Sequence, residues 1–115
     1  MLNPDIKKKW LEALRSGNYT QGKYQLRKGE TYCCLGVLCD LHAKETNQAW
    51  ARIIEDDMAY CETSSYLPHV VADWASCANN DRYNVTADCY RIRLDHLNDE
   101  GKSFDEIAEI IEDRL

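Results

Sequence analysis

Tyr32-Cys33-Cys34-Leu35-Gly36-Val37-Leu38-Cys39-Asp40-Leu41-His42 packs three cysteines, one glycine and four aliphatic residues into eleven positions. Two incompatible chemistries fit it, a metal or thiol site and the entry to a buried helix. Helical phasing separates them. With successive residues about 100° apart, Cys34, Val37, Leu38 and Leu41 fall on one face, Cys39 lies on its flank and Asp40 points away. That is the pattern of a core helix over about residues 34–45, with cysteine acting as a small apolar residue. Gly36 lowers helix stability by about 1 kcal/mol relative to alanine, so its presence predicts close approach of another backbone.

Zinc would need four converging ligands, usually from paired short-spaced knuckles. Cys34-x4-Cys39-x2-His42 supplies no C-x2-C pair, and Cys61, Cys77, Cys89, His69 and His96 are scattered singly. No metal ligands and no cofactor are therefore assigned. A catalytic thiol needs a depressed pKa, from a helix start or a neighbouring cation. Cys33 and Cys34 stand at the predicted helix start, with His42, His69 or His96 as bases, and this leaves a thiol-dependent or hydrolytic enzyme as an alternative.

Outward from this stretch, Asn3-Pro4 opens a helix carrying Ile6, Trp10, Ala13 and Leu14 at helical spacing, and Gly17-Asn18 closes it. Tyr24-Gln25-Leu26 and Thr31-Tyr32-Cys33 flank Arg27-Lys28-Gly29-Glu30 and read as a short β-hairpin. Residues 46–66 show no clear period, although Met58-Ala59-Tyr60 suits an edge strand. Leu67-Pro68 starts a third helix with Val70, Val71, Trp74 and Ala75 on one face. Residues 77–85 read as a polar loop. Thr86 is a fair cap for a fourth helix carrying Tyr90, Leu94 and Leu97, ending near Gly101. Ser103-Phe104-Asp105-Glu106 is a capping box for a last helix that buries Phe104, Ile107, Ala108, Ile111 and Leu115. The expectation is one α+β domain over residues 1–115: four to five helices around a small antiparallel hairpin or three-stranded sheet.

Six cysteines in 115 residues fall short of a disulfide-built scaffold, so reduced thiols are expected. The chain has no apolar run of membrane-spanning length and no signal-peptide core. It is accordingly expected to stay off the membrane and in the cytoplasm. The net charge of −6 is graded: residues 1–30 hold seven Lys/Arg against three acids, and residues 99–115 hold two against seven. The fourth and fifth helices with the Asn98-Asp99-Glu100-Gly101 turn imitate a helix-turn-helix. The second helix, however, presents Asp105, Glu106, Glu109, Glu112 and Asp113, which oppose DNA phosphates. Direct DNA reading is excluded on that ground. The same acids leave an acidic DNA mimic, and the cysteines and histidines a zinc-stabilised interaction module, as minor alternatives.

Four blocks carry a resemblance. They are Ser16-Gly17-Asn18-Tyr19 with Gln21-Gly22-Lys23 and Leu26-Arg27; Cys33 to Leu41; Leu67-Pro68 with Trp74-Ala75; and Leu97-Asn98-Asp99-Glu100-Gly101-Lys102-Ser103-Phe104 through Ile107-Ala108 to Ile111-Glu112. In them the chain resembles a set of small phage and prophage proteins without an assigned activity. The resemblance implies a phage origin and expression in the cytoplasm of a bacterial host; it carries over no catalytic residue. Cys61, Cys77 and Cys89 depart from that pattern, which weakens any metal site that would use them.

The best ligand-contact candidates are Gln21, Gly22, Lys23, Tyr24 and Arg27, with Asn98 and Asp99 expected to face the same place. Gly22 permits close approach, Lys23 and Arg27 can pair with phosphate or carboxylate, and Tyr24 or Tyr32 can stack on a base. The expected function is non-enzymatic: an accessory protein that binds a host factor or sequesters a small anionic, nucleotide-like signal to counter host defence. A second copy of the chain is a further conceivable partner.

Overall fold

A computed structural model of the chain describes residues 2–55, 57–61, 63–75 and 93–115. Five helices occur among them: α1 (Pro4–Arg15), α2 (Cys34–Thr46), α3 (His69–Trp74), α4 (Leu94–Asp99) and α5 (Phe104–Arg114). Five short strands, β1 (Thr20–Gln21), β2 (Arg27–Lys28), β3 (Thr31–Tyr32), β4 (Ala51–Ile54) and β5 (Asp57–Ala59), form one sheet in the order β1-β3-β2-β5-β4. The fold is α+β, as the sequence predicts, and the sheet is mixed because β1 runs parallel to β3. The start of the fourth predicted helix at Thr86 and the 77–85 loop lie outside the described residues.

Helix α2 is the hub, packed by α1, α3, α4 and β3. Its first turn is capped by the Cys33 side chain, whose sulfur accepts from the Gly36 amide, and its end by Asn47 in the left-handed region. Nine of its residues are buried, on every side of the helix. The single apolar face read from the sequence is therefore too narrow, since α2 runs through the core rather than along it. Asp40, expected to point away, is buried. Leu41, expected in the core stripe, is only half-buried. A Cβ on Gly36 would fall 1.7 Å from the Leu26 carbonyl oxygen, so the glycine does mark a crossing of two backbones.

Helix α1 starts at the Asn3 cap, whose Oδ1 accepts from the Asp5 and Ile6 amides, and it buries Ile6, Trp10 and Leu14. Trp10 Nε1 donates to the Cys34 carbonyl at 3.0 Å, tying α1 to the start of α2. Helix α5 carries the predicted Ser103–Glu106 capping box and buries Phe104, Ile107, Ala108 and Ile111, largely against α1. Of the residues expected on the buried face of α3, Val71 and Ala75 are buried and Trp74 is half-buried, whereas Val70 is exposed and Ala72 takes its place in the core.

The second strand of the expected hairpin is present at Thr31–Tyr32, whereas the first is displaced. Arg27 and Lys28 are the strand, paired with Tyr32 and Thr31, and Gly29-Glu30 alone make the turn. Tyr24 cannot extend the strand because its backbone is left-handed, with φ at 69°.

Candidate functional site

The first amides of a helix lack intrahelical partners. In α2 one of them, Cys34 N–H, is answered from across the molecule: it donates to Asn98 Oδ1 at 3.2 Å. Asn98, on α4, is completely buried and also donates from Nδ2 to the Gly22 carbonyl at 2.8 Å. Gln21 completes the clasp. Its Nε2 donates to Asn98 Oδ1 at 3.0 Å and to the Lys102 carbonyl at 2.6 Å, while its Oε1 accepts from Phe104 N–H, the first amide of α5. A buried polar cluster is tolerable only when its members are paired, and here both amide side chains find partners at each end.

The clasp holds the loop after β1 against the α4–α5 turn. Asp99 Oδ1 takes the Tyr24 amide at 2.8 Å and so fixes the left-handed residue. Five of the seven predicted contact residues, Gln21, Gly22, Tyr24, Asn98 and Asp99, are thus brought together. Gln21 and Asn98 spend their amides on the protein itself. Lys23 lies beside them, with Nζ close to Gly101, and no ion pair among the described residues reaches it. Tyr24 stands 70% exposed at the tip.

Arg27 goes elsewhere. Its guanidinium lies 5.0 Å from the Tyr32 ring centroid and 5.5 Å from that of Trp50, with Nε donated to the Gly29 carbonyl. Strand pairing sets it opposite Tyr32 and so lays the guanidinium over that ring.

A second polar cluster has no counterpart in the sequence-based expectations. Asp40 accepts from Tyr19 Oη at 2.6 Å, Trp50 Nε1 at 3.1 Å and Lys44 Nζ at 3.2 Å. Burial works against its charge, but these donors outweigh burial and hold the carboxyl below its ordinary range. Burial first, then the bond to Asp40, pushes the Tyr19 hydroxyl up to about 12. A carboxylate so saturated with donors is a poor base, and the cluster pins β1, α2 and β4 together. The Asp40–Lys44 spacing of four residues was its one signal in the sequence.

The thiols are quiet. Burial pushes Cys33 up to about 11 and raises Cys34 and Cys39 well above the ordinary thiol value, so at neutral pH none of the three is a thiolate. His42 is buried with Nδ1 at 2.5 Å from Tyr60 Oη, and burial lowers its pKa below the ordinary 6.5. Among the described residues no three His, Cys, Asp or Glu side chains converge in a way that could hold a metal ion. No helix among them is long and apolar enough to cross a membrane.

No curated protein and no solved structure matches the chain. A family model does, over residues 2–115, which takes in the clasp, the exposed loop and the core helix alike. The chain belongs to the family described as a domain of unknown function, DUF8296.

Proposed function

We propose that the chain is a non-enzymatic accessory protein, phage-derived as its resemblance implies, that counters host defence by binding a host protein through Lys23 and Tyr24. The observation that carries this is Tyr24 itself: a 70% exposed aromatic on a left-handed backbone whose amide is held by Asp99. A non-glycine residue there costs about 1–2 kcal/mol. A glycine would avoid that strain, so the tyrosine side chain is the reason to bear it. Tyrosine supplies broad contact area at low entropic cost, and a loop fixed beforehand loses little freedom on binding.

A protein surface suits this tip better than a small molecule does. A side chain that stands clear of the surface cradles nothing, and small-ligand sites are concave. Gln21 and Asn98 point their amides inward, and Arg27 rests on Tyr32 and Trp50 rather than beside Lys23. The high thiol pKa values likewise lend no support to cysteine catalysis.

A photo-crosslinking phenylalanine analogue at position 24, in protein expressed in bacterial cells, tests the proposal. A discrete adduct with one host protein is expected there, weakened by Asp99→Ala and missing when the probe sits at exposed Glu109. An identical pattern at both positions, or no adduct at 24, refutes it.

A further inference from the structure

Helices α1 and α5 run antiparallel. Lys7 Nζ donates to the Glu112 carbonyl near the end of α5, whereas Leu14 and Arg15 border a hollow with Ser103 and Phe104 at its start. Glu112 marks the seam between the two helices, for its carboxylate also takes Arg15 at 2.6 Å. On the two sides of that seam the outward faces carry opposite charge. The α1 side holds a hollow of about 510 Å³ lined by Pro4, Lys7, Lys8, Leu11, Glu12, Arg15 and Ser16, three cations to one acid with proline and leucine among them. The α5 side presents Asp105, Glu109, Glu112 and Asp113, all exposed.

Part of this charge is used within the chain, Arg15 on Glu112 and Lys9 on Glu45. Lys8, Asp105, Glu109 and Asp113 have no ion pair among the described residues. A single row of like charges is ordinarily just solvated. Two rows of opposite sign lie side by side here, one of them bordering an apolar hollow, and together they form a surface that matches its own copy.

We propose that this face is a self-association site, at which a second copy of the chain packs across a two-fold axis lying along the seam, parallel to the helices. Such an axis lays α1 of each copy over α5 of the other and leaves every helix antiparallel to both its neighbours. It also preserves height along the helices. Lys8 therefore meets the second copy's Glu109 and Glu112, and Arg15 meets its Asp105, each contact twice by symmetry. A two-fold axis across the helices would set lysine on lysine and carboxylate on carboxylate, so the order of charges selects the first arrangement. The matching face is roughly 18 Å long and 20 Å wide, the rise of the twelve residues of α1 and the width of two helices. That is about half of the roughly 800 Å² per partner of a standard interface. The dimer is accordingly weak, with a dissociation constant of about 100 μM at low salt.

Sedimentation equilibrium from about 10 to about 500 μM reads this directly. Wild-type protein is expected to pass from monomer to dimer in about 20 mM salt and to associate at least about tenfold more weakly in about 500 mM, where screening reaches only a few ångströms. Lys8→Glu and Glu109→Lys, both at exposed positions, should each weaken self-association about tenfold with unchanged circular dichroism, since two attractions become two repulsions. Mixed in equal amounts, the two variants should pair as tightly as the wild type. In that mixed dimer the reversed charges meet each other, and native Lys8 meets native Glu109. A wild type that stays monomeric throughout at low salt overturns the proposal. So does a dimer indifferent to salt, or a mixture no more associated than its two components.

Discussion

Replacing Gly36 by alanine sets two effects of opposite sign against each other. In an exposed helix the change would stabilise by about 1 kcal/mol through backbone entropy and propensity. Here the new Cβ would meet the Leu26 carbonyl oxygen at 1.7 Å and its carbon at 2.7 Å, whereas ordinary contact begins near 3.4 Å. Backbone cannot swing aside as a flexible side chain does, so α2 and the Leu26 segment must part by well over an ångström. That segment is held from two sides: Leu26 N–H donates to the Ser64 carbonyl at 2.8 Å, and Leu26 O accepts from Cys33 N–H at 3.2 Å. Overpacking costs about 1–3 kcal/mol, and loss of the Cys33–Leu26 hydrogen bond about 1 kcal/mol more. Set against the propensity gain, the net is a destabilisation of about 1–3 kcal/mol. For 115 residues the unfolding entropy converts this to a fall in Tm of about 4–12 °C. Urea denaturation followed by circular dichroism should show a lower midpoint at unchanged slope. An alanine variant as stable as the wild type, or more so, would show that α2 does not cross the Leu26 backbone in this way.

Four further outcomes follow from the same geometry. Asn98→Ala should cost about 2–4 kcal/mol in urea titrations, because Cys34 N–H and the Gly22 carbonyl lose their buried partner; a loss under about 0.5 kcal/mol would mean that the clasp carries little energy. Tyr24→Gly should raise stability by about 0.5–1 kcal/mol through relief of the left-handed strain, and a fall in Tm would contradict the assigned backbone. In a Cys61→Ser, Cys77→Ser, Cys89→Ser background, Cys33, Cys34 and Cys39 should resist an aromatic disulfide reagent at pH 8 until urea is added; rapid labelling of the native protein would refute their burial. His42 sets a pH dependence. Its folded pKa lies below the ordinary 6.5, so the unfolded chain binds the extra proton first. Stability should be full above about 6.5 and decline as pH falls from there toward the lowered folded value. Asp40, whose folded pKa is also lowered, adds a separate loss only as pH falls from its ordinary 3.8 toward the folded value. Thermal melts between pH 7.5 and pH 5, compared with His42→Gln, isolate the histidine; identical slopes would exclude it.

Local signals in the sequence were read correctly where the physics is local. The Asn3 cap, the Ser103–Glu106 capping box and the amphipathic stripe of α5 depend on residues within a turn or two, and all three are present. Gly36 was legible for a related reason, since glycine inside an apolar helix is costly without a close neighbour. What escaped is what needs the third dimension. Asp40 was phased outward because a helical wheel knows nothing of Tyr19 or Trp50, which arrive from β1's approach and from the residue before β4. The first strand of the hairpin was placed three residues early because Tyr24 is an ordinary strand residue until Asp99, 75 positions away, fixes it left-handed. The candidate site shows the same division. Its members were named from turn chemistry and charge, and Asn98 and Asp99 do meet the Gln21–Tyr24 segment as expected; that Arg27 departs onto Tyr32 follows from strand pairing, which those signals do not carry.

The clasp also sets an order of events for the growing chain. Gln21 and Asn98 are separated by 77 positions, and Gln21 and Phe104 by 83. Loop closure over such spans comes late, after local helices and turns have formed. As the chain leaves the ribosome, the segment bearing Lys23 and Tyr24 emerges early yet has no fixed shape until α4 and the start of α5 follow it. The exposed tyrosine thus takes its held conformation only once the chain has been synthesised past Phe104. Fragments that stop before Asn98 carry the Gln21–Tyr24 sequence and none of its geometry.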